Sequence, residues 1–271
     1  MLEFIRSQLK KQNIELVASL RLAECTVKRP YLLEKQGFSG NSVVIFAVPY
    51  FTENDSKRNI SAYAVSRDYH LFFAELFNTL IKELKKEYPE NNFAGFSDHS
   101  PIDEIEAACR AGLGVLGKNR LLITKKYSSY VFLGELITDA VLPSSAGEIS
   151  FCINCGECER DCPMIKESCD CLSSLTQKKG ELSAPEKRII HKYACAWGCD
   201  ICQEACPYTK LALNSGSIYT DIEFFKESRT PFLTSDTVAQ MTDEEFKTRA
   251  YSWRGKKTIE RNLKILEGDE S

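Results

Sequence analysis

Two kinds of hydrophobic spacing recur along this chain. Apolar residues at every third or fourth position over 69–88 predict an amphipathic helix. Residues 42–48 form an unbroken, mostly β-branched apolar run, which is typical of a strand buried on both faces. Residues 1–24 also predict a helix, with Leu2 and Ile5 on its apolar side. The pattern therefore predicts helices packed on a buried sheet.

Short apolar segments beyond residue 92 predict further strands. Residues 93–96, 120–124 and 129–138 each fit a strand. A helix is predicted over 101–111, with Pro101 in its first turn, where the missing N–H of proline is tolerated. Together these elements predict an α/β fold: a mixed sheet with flanking helices, then a ferredoxin-like module and a short helical tail.

Changes in composition indicate how the chain is divided. Turn-forming residues cluster at 143–147, just before the cysteines, and the chain becomes polar after Pro207. We therefore predict an α/β domain over 1–145, a ferredoxin-like module over 146–212 and a helical segment over 213–271.

The overall composition fits a protein with a packed core, since 43% of the 271 residues are hydrophobic. The net charge of −3 is too small to indicate a nucleic-acid-binding protein by itself. The longest apolar run, over 43–48, is too short to span a bilayer, and the first residues lack the pattern of a secretory signal. We expect a cytoplasmic protein without a membrane partner.

Ten of the twelve cysteines lie between residues 152 and 206, in two runs. The first run has the spacing C-x2-C-x2-C-x3-C-P, which bacterial ferredoxins use to bind 4Fe–4S clusters, and the second run ends C-x2-C-x3-C-P. Pairs of the form C-x2-C also build zinc ribbons. The closely following third cysteine, the prolines and the repetition of the pattern favour iron–sulfur clusters over zinc.

Each 4Fe–4S cluster needs four thiolates, and in two-cluster ferredoxins the last cysteine of each run binds the other cluster. This rule assigns the first cluster to Cys152, Cys155, Cys158 and Cys206. It assigns Cys162, Cys199 and Cys202 to the second cluster, together with one upstream cysteine. Cys171 is the preferred fourth ligand, and Cys195 and Cys169 are alternatives. Cys25 and Cys109 stand apart and are expected to be core residues.

The C-terminal region predicts a helix from Thr242, where Thr-x-x-Glu resembles a capping box, to Leu266. Its basic side chains are Arg249, Arg254, Lys256, Lys257, Arg261 and Lys264. Such a face suits either plain solvation or contact with RNA phosphates, and both interpretations stay open.

Six segments resemble motifs of epoxyqueuosine reductases, in the same order and with similar spacing. They are residues 60–70 (ISAYAVSRDYH), 98–101 (DHSP), 111–119 (AGLGVLGKN), 132–138 (FLGELIT), 171–176 (CLSSLT) and 198–203 (GCDICQ). The resemblance runs from about residue 42 to residue 264.

The resemblance implies a cobalamin-dependent reductase with two 4Fe–4S clusters, which converts epoxyqueuosine in a tRNA anticodon loop to queuosine and water. It places Asp98 at the proton donor, whose pKa would have to be raised by partial burial against the corrin. The residues expected to line the cobalamin or substrate pocket are Tyr63, Arg67, Asp68, Tyr69, His70, Gly117, Lys118 and Asn119. An external donor such as a flavodoxin or ferredoxin would supply the electrons.

Departures from the family pattern concern tRNA recognition more than the cofactors. Residues 31–38 replace a longer segment, and residues 164–166 replace the usual sequence after the first Cys-Pro. The sequence also ends where many members continue into a helical-repeat domain that helps to hold tRNA. Two other functions stay open: a ferredoxin-like electron-transfer protein, and a cobalamin-dependent reductase of another small epoxide or halide.

Overall fold

The computed structural model describes residues 1–268, which form two compact units. The first unit contains Met1–Tyr50, Phe72–Cys155 and Leu211–Ile222. The second contains Phe51–Leu71, Gly156–Lys210 and the described residues from Glu223 onward. Each unit is built from separated segments of the chain, whereas the predicted domains are continuous segments. The boundaries at residues 145 and 212 stay a prediction.

The strands are β1 (Leu16–Arg21), β2 (Ser42–Pro49), β3 (Phe93–Phe96), β4 (Val115–Leu116), β5 (Leu122–Ile123) and β6 (Val131–Thr138). The helices before the cysteines are α1 (Leu2–Lys10), α2 (Pro30–Glu34), α3 (Tyr69–Glu87) and α4 (Glu104–Arg110). Those of the cysteine-rich region are α5 (Glu157–Asp161), α6 (Pro163–Lys166), α7 (Leu172–Gln177), α8 (Ala184–Lys192), α9 (Ile201–Glu204) and α10 (Pro207–Asn214). The last four are α11 (Glu223–Lys226), α12 (Ser235–Gln240), α13 (Asp243–Lys247) and α14 (Lys256–Glu267). Within residues 1–268, no helix is both long enough and apolar enough to cross a membrane.

Four strands of the first unit form a sheet in the order β1–β2–β6–β3. All three pairings in this sheet are antiparallel. Every residue of β2 is buried, because this strand lies between two others and has side chains packed on both of its faces. The predicted strand at 42–48 and the α/β class are therefore confirmed, whereas the predicted mixed sheet is instead antiparallel in all three pairings.

Each face of the sheet carries its own core. On one face, the ring of Phe46 lies 6.3 Å from that of Phe73 and 6.1 Å from that of Phe77, both on α3. A Cβ atom on Gly134 would lie 2.6 Å from the rings of Phe46 and Phe73, so glycine is needed where α3 meets the sheet. On the other face, alternate residues of β2 pack with Ala108 of α4.

The predicted helix over residues 1–24 was wrong in its second half. Helix α1 ends at Lys10, and Asn13 takes a left-handed φ of 59° that reverses the chain. The apolar residues that follow form β1, which pairs with β2 from Leu16 to Arg21. Pairing with a buried strand satisfies the backbone there, so tertiary context overrides the helical spacing.

The helix predicted over 101–111 is shorter than expected. It begins at Glu104, and the Asp103 side chain caps it by accepting a hydrogen bond from the Glu106 N–H at 3.1 Å. Pro101 therefore precedes the helix instead of lying in its first turn. The strands predicted at 120–124 and 129–138 are present as the shorter β5 and β6.

The predicted C-terminal helix is divided. The capping box at Thr242 is present and starts α13, but this helix ends at Lys247. Gly255 has a φ of 85°, which interrupts the chain before α14 begins. The prediction of one continuous helix from Thr242 to Leu266 was therefore wrong.

A buried asparagine connects α14 to the cysteine-rich segment of the second unit. The Nδ2 of Asn262 donates to the carbonyl of Thr176 at 2.6 Å and to that of Ala196 at 2.8 Å. The hydroxyl of Thr176 in turn accepts from the Gly198 N–H at 3.0 Å. An unpaired polar group here would cost about 1–3 kcal/mol, so these bonds fix the loop that precedes Cys199.

Phe46→Ala should lower the free energy of unfolding by about 3–5 kcal/mol, because the ring is fully buried between β2 and α3. Urea unfolding followed by circular dichroism measures this loss. Val141→Ala is the control, since Val141 is 65% exposed and its truncation should change the stability by less than about 0.5 kcal/mol. Equal losses in the two variants would contradict this description of the core.

Candidate functional site

Asp98 lies on an exposed loop between β3 and α4 in the first unit. Its φ of 61° falls in the left-handed region, which aspartate and asparagine tolerate better than most residues. The backbone N–H of Asp98 donates a hydrogen bond to the carboxyl of Glu104. The loop conformation is therefore supported from within the protein, while the side chain is presented at the surface. Its burial against a corrin stays a prediction.

The residues before α2 hold the other end of this loop. The backbone N–H groups of Lys28 and Arg29 donate to the carbonyl of Pro101 at 2.8 and 3.0 Å. The Arg29 Nη1 donates to the carbonyl of Ser100 at 2.9 Å. The hydroxyl of Tyr31 lies 2.9 Å from the Nε2 of His99. Together these bonds fix the loop from residue 99 to residue 101.

Two carboxyl groups are buried behind the loop. Glu135 of β6 is fully buried, and neither of its carboxyl oxygens reaches a hydrogen-bond partner among the described residues. Burial and then the charge of Glu104 raise the pKa of Glu135 well above its usual range. The Ser100 hydroxyl faces this carboxyl and partly opposes the rise, although it lies outside hydrogen-bond geometry.

Glu104, the second of these residues, is half-buried, and its Oε2 is shielded from solvent. Its Oε2 has no hydrogen-bond partner within residues 1–268. Burial and then the charge of Asp98 raise the pKa of Glu104 to about 7. The sequence analysis identified neither carboxyl. The one available signal was a charged residue at position 135, inside an otherwise apolar strand.

The glycine-rich turn contacts the first cysteine run within the first unit. Strands β4 and β5 form a hairpin. The Leu116 N–H donates to the carbonyl of Ser150 at 2.8 Å, and the Leu116 carbonyl accepts from the Cys152 N–H at 3.0 Å. These bonds bring Cys152 to the turn, where the Lys118 N–H donates to its Sγ at 3.4 Å. Such a donor stabilises a thiolate and tunes the potential of a cluster bound to it.

Gly117 is explained by the hairpin itself. A Cβ atom there would lie 3.0 Å from the carbonyl oxygen of Leu121, and the Asn119 side chain accepts from the Leu121 N–H at 3.3 Å. By contrast, the space beyond the Cα of Gly112 is open. Lys118 is exposed at the tip of the turn.

The segment 60–70 belongs to the second unit, together with the cysteines from Cys158 onward. The Nε1 of Trp197 donates to the hydroxyl of Tyr63 at 2.8 Å. The Nδ1 of His70 lies 2.9 Å from the carboxylate of Asp68, and its ring stacks on that of Tyr69 at 4.1 Å. The guanidinium of Arg67 lies 4.5 Å from the centre of the Phe224 ring.

The predicted pocket residues are therefore divided between the units. Gly117, Lys118 and Asn119 lie in the first unit with Asp98, whereas Tyr63, Arg67, Asp68, Tyr69 and His70 lie in the second. Their contact with cobalamin or substrate stays a prediction.

Asp200 holds the start of segment 60–70 against the second cysteine run. Its carboxylate accepts from the Ser61 hydroxyl at 2.5 Å and from the Ala62 N–H at 2.6 Å. The Arg58 guanidinium pairs with it at 3.1 Å, and both side chains are largely buried. Because the buried charge is paired and hydrogen-bonded, the contact is stable inside the unit.

Four thiols of the second unit come within electrostatic range of one another. Burial raises the pKa of Cys202 to about 12, and the charges of Cys162, Cys171 and Cys158 add to this rise. Neighbouring thiolates repel one another unless positive charge is present, which metal ions supply. No three His, Cys, Asp or Glu side chains of residues 1–268 are placed to share one metal ion. A cubane needs no such shared point, because each thiolate binds its own iron atom.

The alternative ligands of the second cluster also lie near predicted ligands, since Cys195 packs against the same apolar cluster as Cys199, and the charge of Cys162 reaches Cys169. The Cys195 thiol donates to the carbonyl of Gly198 at 2.9 Å, and the Cys169 thiol donates to that of Asp170 at 3.1 Å. Cys171 is exposed, and its charge reaches Cys202. Cys109 is buried in the core of the first unit and Cys25 packs against it, as expected.

Four of the six basic residues near the C-terminus contact other groups of the protein: Arg254 and Lys256 lie over the rings of Trp253 and Phe246, and the other two bind backbone carbonyls. Arg249 donates to the carbonyl of Ser228 at 2.5 Å, and Arg261 donates to the carbonyls of Lys178 and Gly180. On α14, the side chains of Lys257 and Lys264 are exposed. A phosphate-binding patch would therefore be smaller than the sequence indicated.

Comparison with known proteins was made for sequence and for fold. The family model "Epoxyqueuosine reductase QueG, DUF1730" matches residues 34–99. The epoxyqueuosine reductase of Gloeobacter violaceus is 31% identical over 218 residues, which are 76% of this chain and 68% of that protein. This chain belongs to the epoxyqueuosine reductase family. The relatedness predicted from the six motifs is thus confirmed, and the family is one of oxidoreductases.

Other epoxyqueuosine reductases extend the comparison. The Listeria monocytogenes protein is 33% identical over 213 residues, and the match covers 73% of this chain but only 54% of that protein. The epoxyqueuosine reductase from Streptococcus thermophilus has a TM-score of 0.75 at 24% identity, over 97% of this chain and 80% of that one. A further structure, with a tRNA-Tyr epoxyqueuosine-modified stem loop, has a TM-score of 0.74 at 22% identity, with the same coverage. These structures share the fold of this chain.

Proposed function

We propose that this chain reduces epoxyqueuosine in tRNA to queuosine. The observation that carries the proposal is the 31% identity to the Gloeobacter violaceus enzyme over 218 residues. The segment with Asp98 and residues 198–203 of the second cysteine run resemble family motifs. In this reaction the epoxide oxygen leaves as water, which takes two electrons and two protons.

The substrate is proposed to be the anticodon loop of tRNA. One structure with this fold is of an epoxyqueuosine reductase with a tRNA-Tyr epoxyqueuosine-modified stem loop. The exposed Lys257 and Lys264 of α14 are available to contact RNA phosphates. Because this chain spans about half to three quarters of the length of its curated relatives, tRNA recognition has to be tested on this chain directly.

We assign two 4Fe–4S clusters to the cysteines. By spacing, the first would be bound by Cys152, Cys155, Cys158 and Cys206. The second would be bound by Cys162, Cys171, Cys199 and Cys202. For Cys171, the support is its place in the family-like motif of residues 171–176 and its charge interaction with Cys202.

A cobalamin completes the proposed cofactors. The glycine-rich turn that would contact it lies in the unit that carries Asp98, and Gly112 and Lys118 are exposed there. When bound, cobalamin supplies a strongly reducing cobalt centre. Asp98, presented on its fixed loop, donates a proton to the epoxide oxygen.

Electrons are proposed to come from an external donor such as a flavodoxin or ferredoxin. A polar cavity of about 200 Å³ lies within the second unit and is bounded by Cys199, Arg58 and Glu204. A small acidic or basic surface of a donor protein could approach the second cluster there.

Cys171→Ser should lower the iron content of the anaerobically reconstituted protein from about eight to about four atoms per chain, because one cubane loses a ligand. Iron and acid-labile sulfide assays measure this. Cys195→Ser is the matched control and should keep about eight. The reverse result would make Cys195 the ligand, and full stoichiometric zinc in the anaerobically purified wild type would contradict both clusters.

Asp98→Asn should reduce turnover of an epoxyqueuosine-containing anticodon stem-loop at least about 100-fold, because the amide cannot donate the proton that the acid provides. Asparagine also tolerates the left-handed φ at this position, so the loop should stay intact. Anaerobic assays with excess reductant and cobalamin measure the rate.

Iron content, corrin content and the melting temperature serve as controls for Asp98→Asn and should match the wild type. Unchanged turnover in this variant would remove Asp98 from the mechanism. A wild type that reduces a small halide or epoxide but leaves the stem-loop intact would contradict the proposed substrate.

A further inference from the structure

The reaction needs more protons than Asp98 can hold. Conversion of an epoxide to an alkene breaks both C–O bonds of the ring, forms one C=C bond and uses two electrons, which the clusters deliver one at a time. The oxygen leaves as water and therefore takes up two protons. One carboxylic acid supplies one proton. The second proton must come from another group or from solvent.

A candidate for this second group lies directly behind Asp98. The carboxyl of Glu104 accepts a hydrogen bond from the Asp98 backbone N–H. Glu135 is fully buried and close enough to Glu104 for the two carboxyls to influence each other. Three of their four oxygens have no hydrogen-bond partner among residues 1–268.

Buried and unpaired carboxyl oxygens are costly when they carry charge. With both groups ionised, two like charges would lie close enough to repel each other, one of them fully buried, so the pair retains at least one proton. The protein thus keeps a bound proton next to its exposed acid. A purely structural role is poorly served by this arrangement, because an apolar pair would pack there without that cost.

We propose that Glu104 and Glu135 hold the second proton of the reaction and pass it to Asp98 after Asp98 has donated the first. This inference rests on the proposed function. Transfer is favourable because the oxygen released from the ring is a far stronger base than a carboxylate. After product release, the pair regains its proton from solvent. Both residues act through Asp98 and are therefore positioning residues.

The groups that face the pair mostly favour its protonated form. The charges of Asp98 and Asp103 raise the pKa of Glu104, and the guanidinium of Arg29 opposes them. The Ser100 hydroxyl faces Glu135 and lowers its pKa.

The thiol of Cys25 also lies within electrostatic range of Glu135. Burial and nearby negative charges, including that of Glu135, raise the pKa of Cys25 to about 12, so this thiol stays neutral. The protonated form of the carboxyl pair is therefore favoured by the charges of Asp98 and Asp103, whereas Arg29 opposes it and the neutral Cys25 adds no charge.

The first arm of the test is kinetic. Glu135→Gln should lower kcat for the stem-loop at least about tenfold, while KM, iron content and corrin content stay unchanged. Glu104→Gln should also move the alkaline limb of the kcat–pH profile to lower pH, because Glu135 loses the neighbour whose charge raises its pKa. Glu106→Gln on the same helix is the matched control, since Glu106 pairs with Arg110 and should not alter the profile.

The second arm needs no substrate. A carboxyl whose pKa is raised on folding adds stability at low pH, and that stability is lost as the pH rises from about 4.3 through the folded pKa. Glutamine does not titrate. The melting temperature of Glu135→Gln relative to wild type should therefore increase by about 2–4 °C between pH 5 and pH 8, and that of Glu106→Gln should not.

Wild-type kcat in both glutamine variants from pH 6 to pH 8 would overturn the proposal, and so would a melting difference that does not change with pH. If the wild-type enzyme itself fails to convert the stem-loop, the proposed function is wrong. The melting experiment then still decides whether the pair holds a proton. The two failures are thus distinguishable.

Discussion

Burial of negative charge is the constraint on which both units depend. In the first unit, Glu135 is fully buried and Glu104 is half-buried, and burial raises the pKa of each. In the second, burial raises the pKa of Cys202 to about 12. The cost of a buried negative charge can be avoided in two ways. The carboxyls keep a proton, and the thiols would lose theirs on binding iron.

The fold provides the rigid supports that these groups need. The sheet of the first unit fixes Glu135 within β6, and α4 brings Glu104 to the backbone of Asp98. In the second unit, Asp200 and Asn262 use hydrogen bonds to fix the chain on either side of Cys199. Paired buried polar groups of this kind define one geometry, because each of them would be costly to leave unsatisfied. In the first unit, the Lys118 N–H donates a hydrogen bond to the Sγ of Cys152.

The sequence is informative where residue type and spacing alone determine the chemistry. The cysteine runs, the buried strand at 42–48 and the family motifs can all be recognised in this way. It is less informative where tertiary contacts decide. Residues 16–21 have helix-compatible spacing but pair with β2, and Gly255 divides a helix that the capping box at Thr242 starts as predicted. In the sequence Glu135 is only one charge in an apolar strand, since its relation to Glu104 depends on how α4 packs on the sheet.

The proposed activity of this chain is removal of the epoxide oxygen from epoxyqueuosine in RNA. Mass spectrometry of an epoxyqueuosine-containing anticodon stem-loop, after anaerobic incubation with the reconstituted protein and a strong reductant, measures this directly. We expect a product that has lost one oxygen atom and matches queuosine, and we expect it only when cobalamin is present. An unchanged stem-loop, with both clusters and cobalamin verified in the same sample, would contradict it.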